Sequence, residues 1–260
     1  MRLLAVTGTG TEVGKTVTTA ALAACALRGG QRVAVVKPVQ TGVWPGEPAD
    51  LTEVRRLTGL ADLHEYVRYA EPLAPATAAR RLGEPGPDLG ELAGRIAGLA
   101  DRDLVIVEGA GGALVRFNDR GEGLVELIGA VVRLVRSRSG AQSSFGAEVV
   151  LVTGAALGCL HHAAATAEAL DRRGLVSRHL VVGSWPAEPG LAECCNLEDL
   201  PSHAGAPLHG VIPHGAGGLP VAAFAEAAVR SLTPALGGSF DAASFVRGRA
   251  VPEPTRESSS

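Results

Sequence analysis

The 260 residues predict an α/β fold, a mostly parallel sheet with helices on both faces. Two observations carry that expectation. Residues 1–16, MRLLAVTGTGTEVGKT, read as an apolar strand that runs through a glycine-bearing turn into Gly-Lys-Thr, with an alanine-rich helical run over 17–27 behind it. From there on, short apolar runs alternate with helical ones. That is the pattern of a parallel sheet whose ligands bind where strand C-termini open into loops.

The first stretch is a phosphate cradle of the P-loop kind, which makes the expected fold P-loop NTPase-like. Backbone N–H groups around Gly10 to Gly14 would point inward at an anion, and the following helix adds the positive end of its dipole. Lys15 would reach the outer phosphates and the Thr16 hydroxyl a Mg²⁺ ion. The usual pattern has four residues between its two glycines, whereas Gly8 and Gly14 enclose five. The strand-loop-helix setting keeps the reading. The alternative is a glycine turn whose lysine and threonine only decorate a helix start.

Further along, Gly29-Gly30 stop the first helix, and residues 32–37 form a second buried strand that Pro38 is expected to close. Residues 44–49 read as a loop and Asp50 as the start of a helix ended by Gly59. Pro72-Leu73-Ala74-Pro75-Ala76 opens a short helix through Arg81, residues 83–87 form a loop, and Asp88 caps another helix that runs to about Ala100. Four apolar residues, Leu104-Val105-Ile106-Val107, then form a buried strand that runs into Glu108-Gly109-Ala110-Gly111-Gly112. Strands follow over 148–153, 179–183 and 208–212, a helix over 161–173, and a closing helix over about 219–236. Residues 1–240 are expected to form one P-loop α/β domain. Residues 133–146, rich in Ser, Arg and Gly, are expected to be a mobile inserted loop, and 241–260 a tail disordered towards its end.

Composition narrows the function. An apolar content of 46% suffices for a real core, while a net charge of −3 and 3% aromatic residues give neither a basic footprint nor stacking platforms for nucleic acid. Cys25, Cys159, Cys194 and Cys195 show no C-x-x-C spacing, which fits a reducing compartment and predicts a cytoplasmic protein. No apolar run reaches the length of a membrane span. No Gly-x-Ser-x-Gly elbow, paired C-x-x-C or H-E-x-x-H occurs, and near Cys159 the adjacent His161 and His162 at a helix start fall on different faces with no third ligand nearby, which argues against a metal cluster.

Phosphoryl transfer depends on positioning and charge neutralisation, so a P-loop should be accompanied by acids at neighbouring strand ends. Glu108 follows a buried strand, where a Walker-B acid sits; the alternative is a surface glutamate in a glycine turn. Asp50 is a second candidate, as a metal ligand or simply as a helix cap. Lys37, at the end of the second strand, would present an ammonium at the crevice, or else lay its stem over apolar surface with its head in water.

Four separated stretches, GTGTEVGKT (8–16), KPVQTG (37–42), VEGAGG (107–112) and LGCLHHA (157–163), together resemble the dethiobiotin synthetase family. That family's loop carries the same extra residue between its glycines, and the resemblance covers residues 1 to about 220, strongest over the first 112. It implies an ATP-dependent cyclo-ligase that forms carbon–nitrogen bonds in biotin synthesis. The ureido ring of dethiobiotin is closed from 7,8-diaminononanoate, CO₂ and ATP, through a carbamate and a carbamic-phosphoric anhydride. Carried over residue by residue, Lys37 matches the catalytic lysine, with Lys15 beside it on the phosphates. Thr16, Asp50 and Glu108 match the Mg²⁺ ligands. Glu12, Val13, Gly14, Lys15, Thr16 and Val17 match the phosphate loop, Glu108, Gly109, Ala110 and Gly111 the lining of the nucleotide, and Gly183, Ser184, Pro213, His214 and Gly215 the base side. Thr11 and Thr41 match hydroxyls on the diamine. Leu157, Gly158, Leu160 and His161 match a segment that enters the substrate pocket of the other subunit of a homodimer.

Here the chain departs from the family, which commonly has Leu-Gly-Thr-x-Asn-His where this sequence has Leu157-Gly158-Cys159-Leu160-His161-His162. A strand-end asparagine is likewise replaced by Gly183, and 133–145 is longer than in relatives. Rival readings are a nucleotide-binding sensor without turnover and a partitioning-type ATPase. The second would carry another lysine early in the loop, where Thr9 and Gly10 stand. A cobyrinate-type amidotransferase would need a glutaminase domain, for which 260 residues leave no room.

Overall fold

In the computed structural model, which describes residues 1–139 and 145–250, seven strands form one sheet. They are β1 (Arg2–Gly8), β2 (Val33–Thr41), β3 (Leu63–Tyr69), β4 (Leu104–Gly112), β5 (Ala147–Thr153), β6 (Arg178–Trp185) and β7 (Leu208–Pro213). The spatial order is β3-β2-β4-β1-β5-β6-β7, with every neighbouring pair parallel, so all strand C-termini face one edge. From β1 the chain moves out to β2 and β3, returns to β4 beside β1, and departs the other way into β5. That reversal opens a crevice at the C-terminal end of β1.

The helices are α1 (Lys15–Arg28), α2 (Asp50–Thr58), α3 (Pro75–Arg81), α4 (Leu89–Ala97), α5 (Leu124–Ser139), α6 (Cys159–Asp171), α7 (Leu191–Ala204), α8 (Val221–Ser231) and α9 (Ala242–Arg247). Because side chains alternate along a strand, β1 feeds two cores. Leu4 and Val6 pack with Leu22 of α1, Val54 of α2 and Phe224 of α8. Leu3 and Ala5 pack on the other face with Ile96 of α4 and Ile128 of α5. A third cluster joins Leu180 and Val182 of β6 to Leu197 and Leu200 of α7. Each fully buried aliphatic side chain of this kind stabilises the fold by about 1.5–3 kcal/mol. No helix among the described residues is long and apolar enough to cross a membrane.

Several expectations need correction. Over Arg133 to Ser139 the chain is helical, as the last two turns of α5, rather than a loop. Leu127, Val131 and Val135 recur every four residues on one buried stripe, and the arginines Arg133, Arg136 and Arg138 are exposed. Residues 140–144, the rest of the expected insertion, and 251–260, the end of the expected tail, lie outside the described residues; α9 occupies 242–247. Pro38 does not close β2, which continues to Thr41. The Val35 N–H donates to Asp62 on the β3 side, so the alternation turns position 38 towards β4, whose ladder with β2 already ends at Val36. The missing donor of Pro38 therefore falls where no ladder bond is made.

The single closing helix expected over 219–236 is instead α8 followed by a short 3₁₀ turn, Pro234–Leu236. Leu232 leaves helical geometry to bridge Gly210 of β7, and Pro234 cannot rejoin a helix. Asp88 does cap α4, accepting from the Glu91 N–H at 3.0 Å.

Candidate active site

The phosphate loop leaves β1 at Gly8 and enters α1 at Lys15. Gly14, the N-cap, has φ 92°, and a Cβ there would lie 2.3 Å from the Gly183 carbonyl oxygen. Only glycine fits, and the loop consequently rests directly on the end of β6. Glu12 sits at φ 59°, a left-handed conformation uncommon outside glycine and held here by the loop around it. Among the described residues no side chain caps α1 and no acid occupies its first turn, which leaves the helix's leading N–H groups facing the crevice.

Three elements bring charge to that point. Glu108 on β4 is 0% exposed, and its Oε1 accepts from the Thr16 hydroxyl at 2.9 Å and from the Lys37 ammonium at 2.9 Å. Lys37 on β2, 3% exposed, also donates to the Gly109 carbonyl at 3.0 Å and pairs with Asp50 Oδ2 at 2.5 Å. Burial alone would pull the Lys37 pKa down, but the Glu108 and Asp50 carboxylates outweigh it and raise it, so the side chain stays an ammonium. Lys15 is also buried and donates to the Gly10 carbonyl at 2.7 Å. Its pKa is lowered by burial, which the Glu108 carboxylate offsets in part and the Lys37 charge reinforces. An incoming polyphosphate would supply the negative charge that Lys15 lacks.

The expected Mg²⁺ ion can be tested against these donors. Glu108 Oε2 is buried and has no hydrogen-bond partner among the described residues, an arrangement that is costly for a carboxylate unless something else occupies it. Together with the Thr16 hydroxyl and the Asp50 carboxylate it makes a set of hard oxygen donors, suited to a hard divalent cation. Asp50 is the first residue of α2; the N-cap is Ala49.

A cavity of about 890 Å³ opens over this cluster. Among the expected site residues, Thr11, Glu12, Gly14, Lys15, Thr16, Val17, Lys37, Thr41, Asp50, Glu108, Ala110 and Gly111 line it. Val13 packs into the core instead, and Gly109 contributes its carbonyl to Lys37. The expected base-side residues lie beyond the loop, outside this cavity: Ser184 and His214 are joined at 3.1 Å, and the His214 N–H donates to the Trp185 carbonyl at 2.7 Å. Leu157, Gly158, Leu160 and His161 are not brought to the cavity of their own chain. They surround the N-terminus of α6, where Leu157 is 89% exposed and His161 is exposed.

Sequence reasoning missed Gln40, Val43, Val115 and the wall made by Pro72-Leu73-Ala74-Pro75. Gln40 stood in a quoted motif without a role, and the proline pair was visible only as a helix start. Nothing local marks either as cavity lining.

Fold and site define a protein of the P-loop nucleotide-binding class. The family described as "AAA domain" matches residues 2–129. The chain is 55% identical over 246 residues to the ATP-dependent dethiobiotin synthetase BioD of Frankia casuarinae, covering 94% of this chain and 98% of that protein. To the enzyme of the same name from Streptomyces coelicolor it is 50% identical, covering 94% and 98%, and to that from Mycolicibacterium vanbaalenii 43%, covering 90% and 96%. The chain belongs to the ATP-dependent dethiobiotin synthetase family. Among solved structures it is similar to the MinD cell division protein of Aquifex aeolicus (TM-score 0.52, 13% identity, 97% of this chain and 99% of that one). The MinC:MinD complex from the same organism gives a TM-score of 0.51 at 12% identity, covering 98% and 99%. At such identities these show the fold alone.

Proposed function

We infer that this cavity closes the ureido ring of dethiobiotin from 7,8-diaminononanoate, CO₂ and ATP, as an ATP-dependent ligase that forms carbon–nitrogen bonds. The observation that carries the reading is Lys37: a buried ammonium held between Asp50 and Glu108, and joined through Glu108 Oε1 to the Thr16 hydroxyl. A carbamate oxygen and a γ-phosphoryl group both gather negative charge as they meet, and a fixed cation stabilises them with little reorganisation. In the proposed order, one amine takes up CO₂ as a carbamate, and a carbamate oxygen then attacks the γ-phosphorus with ADP leaving. The second amine attacks the carbonyl carbon of the mixed anhydride, and phosphate departs with the carbamate oxygen.

Lys15 and the N–H groups of residues 12–17 hold the phosphates, while Thr11 and Thr41 orient the diamine by their hydroxyls. Thr16, Asp50 and Glu108 would hold Mg²⁺, which when bound supplies charge neutralisation at the phosphate oxygens. Glu108 serves two neighbours at once, with Oε1 on Lys37 and Thr16 and Oε2 open. Gly183, Ser184, Pro213, His214 and Gly215 are read as the side facing the base.

Leu157, Gly158, Leu160 and His161 are read as completing the cavity of a second copy in a homodimer. The exposure of Leu157, Gly158 and His161, apart from the cavity of their own chain, supports this; Leu160 is half-buried. Sedimentation or light scattering should then give twice the chain mass, and a monomer with full activity would refute it. Residues 1–240 are read as one domain because their strands share a single sheet.

The test of function is phosphate release that depends on the diamine. With ATP, Mg²⁺ and bicarbonate, dethiobiotin should appear by mass spectrometry in step with ADP. Hydrolysis of ATP that ignores the diamine and yields no product would favour an ATPase or sensor.

A further inference from the structure

Gln40 takes no part in the reading above, yet its side chain bridges the two elements that carry Lys37 and Asp50. It is buried on β2, three residues beyond Lys37, and lines the cavity. Its Oε1 accepts from the Asp50 backbone N–H at 3.3 Å, and its Nε2 donates to the Thr41 carbonyl at 3.0 Å. The need is local. The N-cap of α2 is Ala49, whose methyl group caps nothing; the Thr52 hydroxyl accepts from the Ala49 N–H at 3.2 Å but leaves the donor of Asp50 over. A leading helical N–H without an acceptor is one of the orphans every helix start must place. Here the acceptor comes from the neighbouring strand rather than from the cap.

We propose that Gln40 is the positioning residue of this site: it fixes the start of α2 on the end of β2, so that the Asp50 carboxylate is held at Lys37 and at the Mg²⁺ that accompanies ATP. The proposal rests on the reading of Asp50 as a metal-side carboxylate. Gln40 touches no reacting atom and acts through Asp50. Among the described residues no hydrogen bond ties its side chain to the phosphate loop, so its loss should spare nucleotide binding as such and weaken what the metal adds. Its carboxamide serves both ends of the bridge, which an apolar side chain of equal length cannot do.

The experiment is calorimetry of ATP binding with and without Mg²⁺ for the wild type, Gln40→Met and Gln40→Glu. Gln40→Met keeps the stem and removes both hydrogen bonds. It should bind metal-free ATP within about twofold of wild type and lose about five- to tenfold of the affinity gained on adding Mg²⁺, the size of one net hydrogen bond. Gln40→Glu keeps an acceptor for the Asp50 N–H but loses the donor to the Thr41 carbonyl, and should recover part of that gain. Gln40→Ala, which removes both hydrogen bonds together with the stem, gives the same reading if the methionine variant does not fold. A full Mg²⁺ gain in the methionine or alanine variant overturns the proposal. So does a loss of metal-free ATP binding as large as the loss of the gain, which would mean a merely structural residue. The measurement needs no diamine, so its outcome is independent of whether dethiobiotin is made.

Discussion

Lys37 and Glu108 come from two neighbouring strands and meet Nζ to Oε1 at 2.9 Å with both side chains buried. Neither charge is tolerable there alone, since an isolated buried ion loses several kcal/mol of hydration. Asp50 adds a second carboxylate, and Lys15 a second cation, so the four groups balance to zero before nucleotide arrives.

The first prediction follows from that balance. Glu108→Ala removes a partner of the buried ammonium and should destabilise the protein by about 3–5 kcal/mol, read from chemical denaturation. Glu108→Gln keeps the shape and should fold, with Mg²⁺-dependent turnover reduced on the order of 10²- to 10³-fold, as for other lost electrostatic groups. Turnover at the wild-type level in Glu108→Gln would remove Glu108 from the metal-side set.

Lys37 and Lys15 should separate in kinetics. Lys15→Ala is expected to lose ATP binding, because that ammonium is proposed to serve the phosphates in the ground state. Lys37→Gln should bind ATP within about tenfold of wild type while kcat falls sharply, as when an interaction made only in the transition state is lost. Lys37→Arg should not restore it, since a planar fork cannot replace a compact ammonium between Asp50, Glu108 and the Gly109 carbonyl. Calorimetry showing ATP binding abolished in Lys37→Gln would make the residue a general nucleotide contact.

At the opposite edge of the sheet, Arg2 of β1 grips Glu148 of β5 at 2.7 Å, and His179 of β6 approaches the same carboxylate at 2.7 Å. The Arg2 hydrogen bonds, helped by His179 and opposed by burial, hold the Glu148 pKa down at about 2. A carboxylate depressed in the folded state contributes stability that is complete above its unfolded pKa of 4.5 and is lost as the pH falls towards 2. Allowing for solvent screening, the contribution is on the order of 1–2 kcal/mol. Glu148→Gln should therefore lower stability at neutral pH and flatten its fall between pH 4.5 and 2, in denaturation at a series of pH values. An unchanged acid slope would contradict the assignment.

How much of this was legible in the sequence depended on how local each signal was. The phosphate loop and the Glu108 turn announce themselves because glycines, a buried run and a charged residue stand side by side. β3 escaped notice because LHEYVRY lies at the sheet edge, half-buried, with charges interrupting its apolar residues. The end of α5 looked like a loop because serines and arginines dominate it, although Val131 and Val135 keep it on the core. In the site, Lys37 was legible as a strand-end cation, but its partners were not, since Asp50 and Glu108 lie 13 and 71 positions away. Gln40 and the wall from Pro72 to Pro75 acquire meaning only when α2 and the β3–α3 connection fold over the crevice. The Arg2, Glu148 and His179 cluster is likewise assembled from three strand starts.

In the proposed order a carbamate oxygen takes the γ-phosphoryl group and leaves with phosphate. The most direct measurement is rapid-quench turnover with the diamine, ATP, Mg²⁺ and CO₂ labelled with ¹³C and ¹⁸O, followed by mass spectrometry of both products. Transfer to the carbamate would put ¹³C at the ureido carbonyl of dethiobiotin, with one labelled oxygen retained there and the other in inorganic phosphate. Phosphate free of label, formed at the same rate as ADP, would mean that water and not the carbamate accepts the phosphoryl group, and would contradict it.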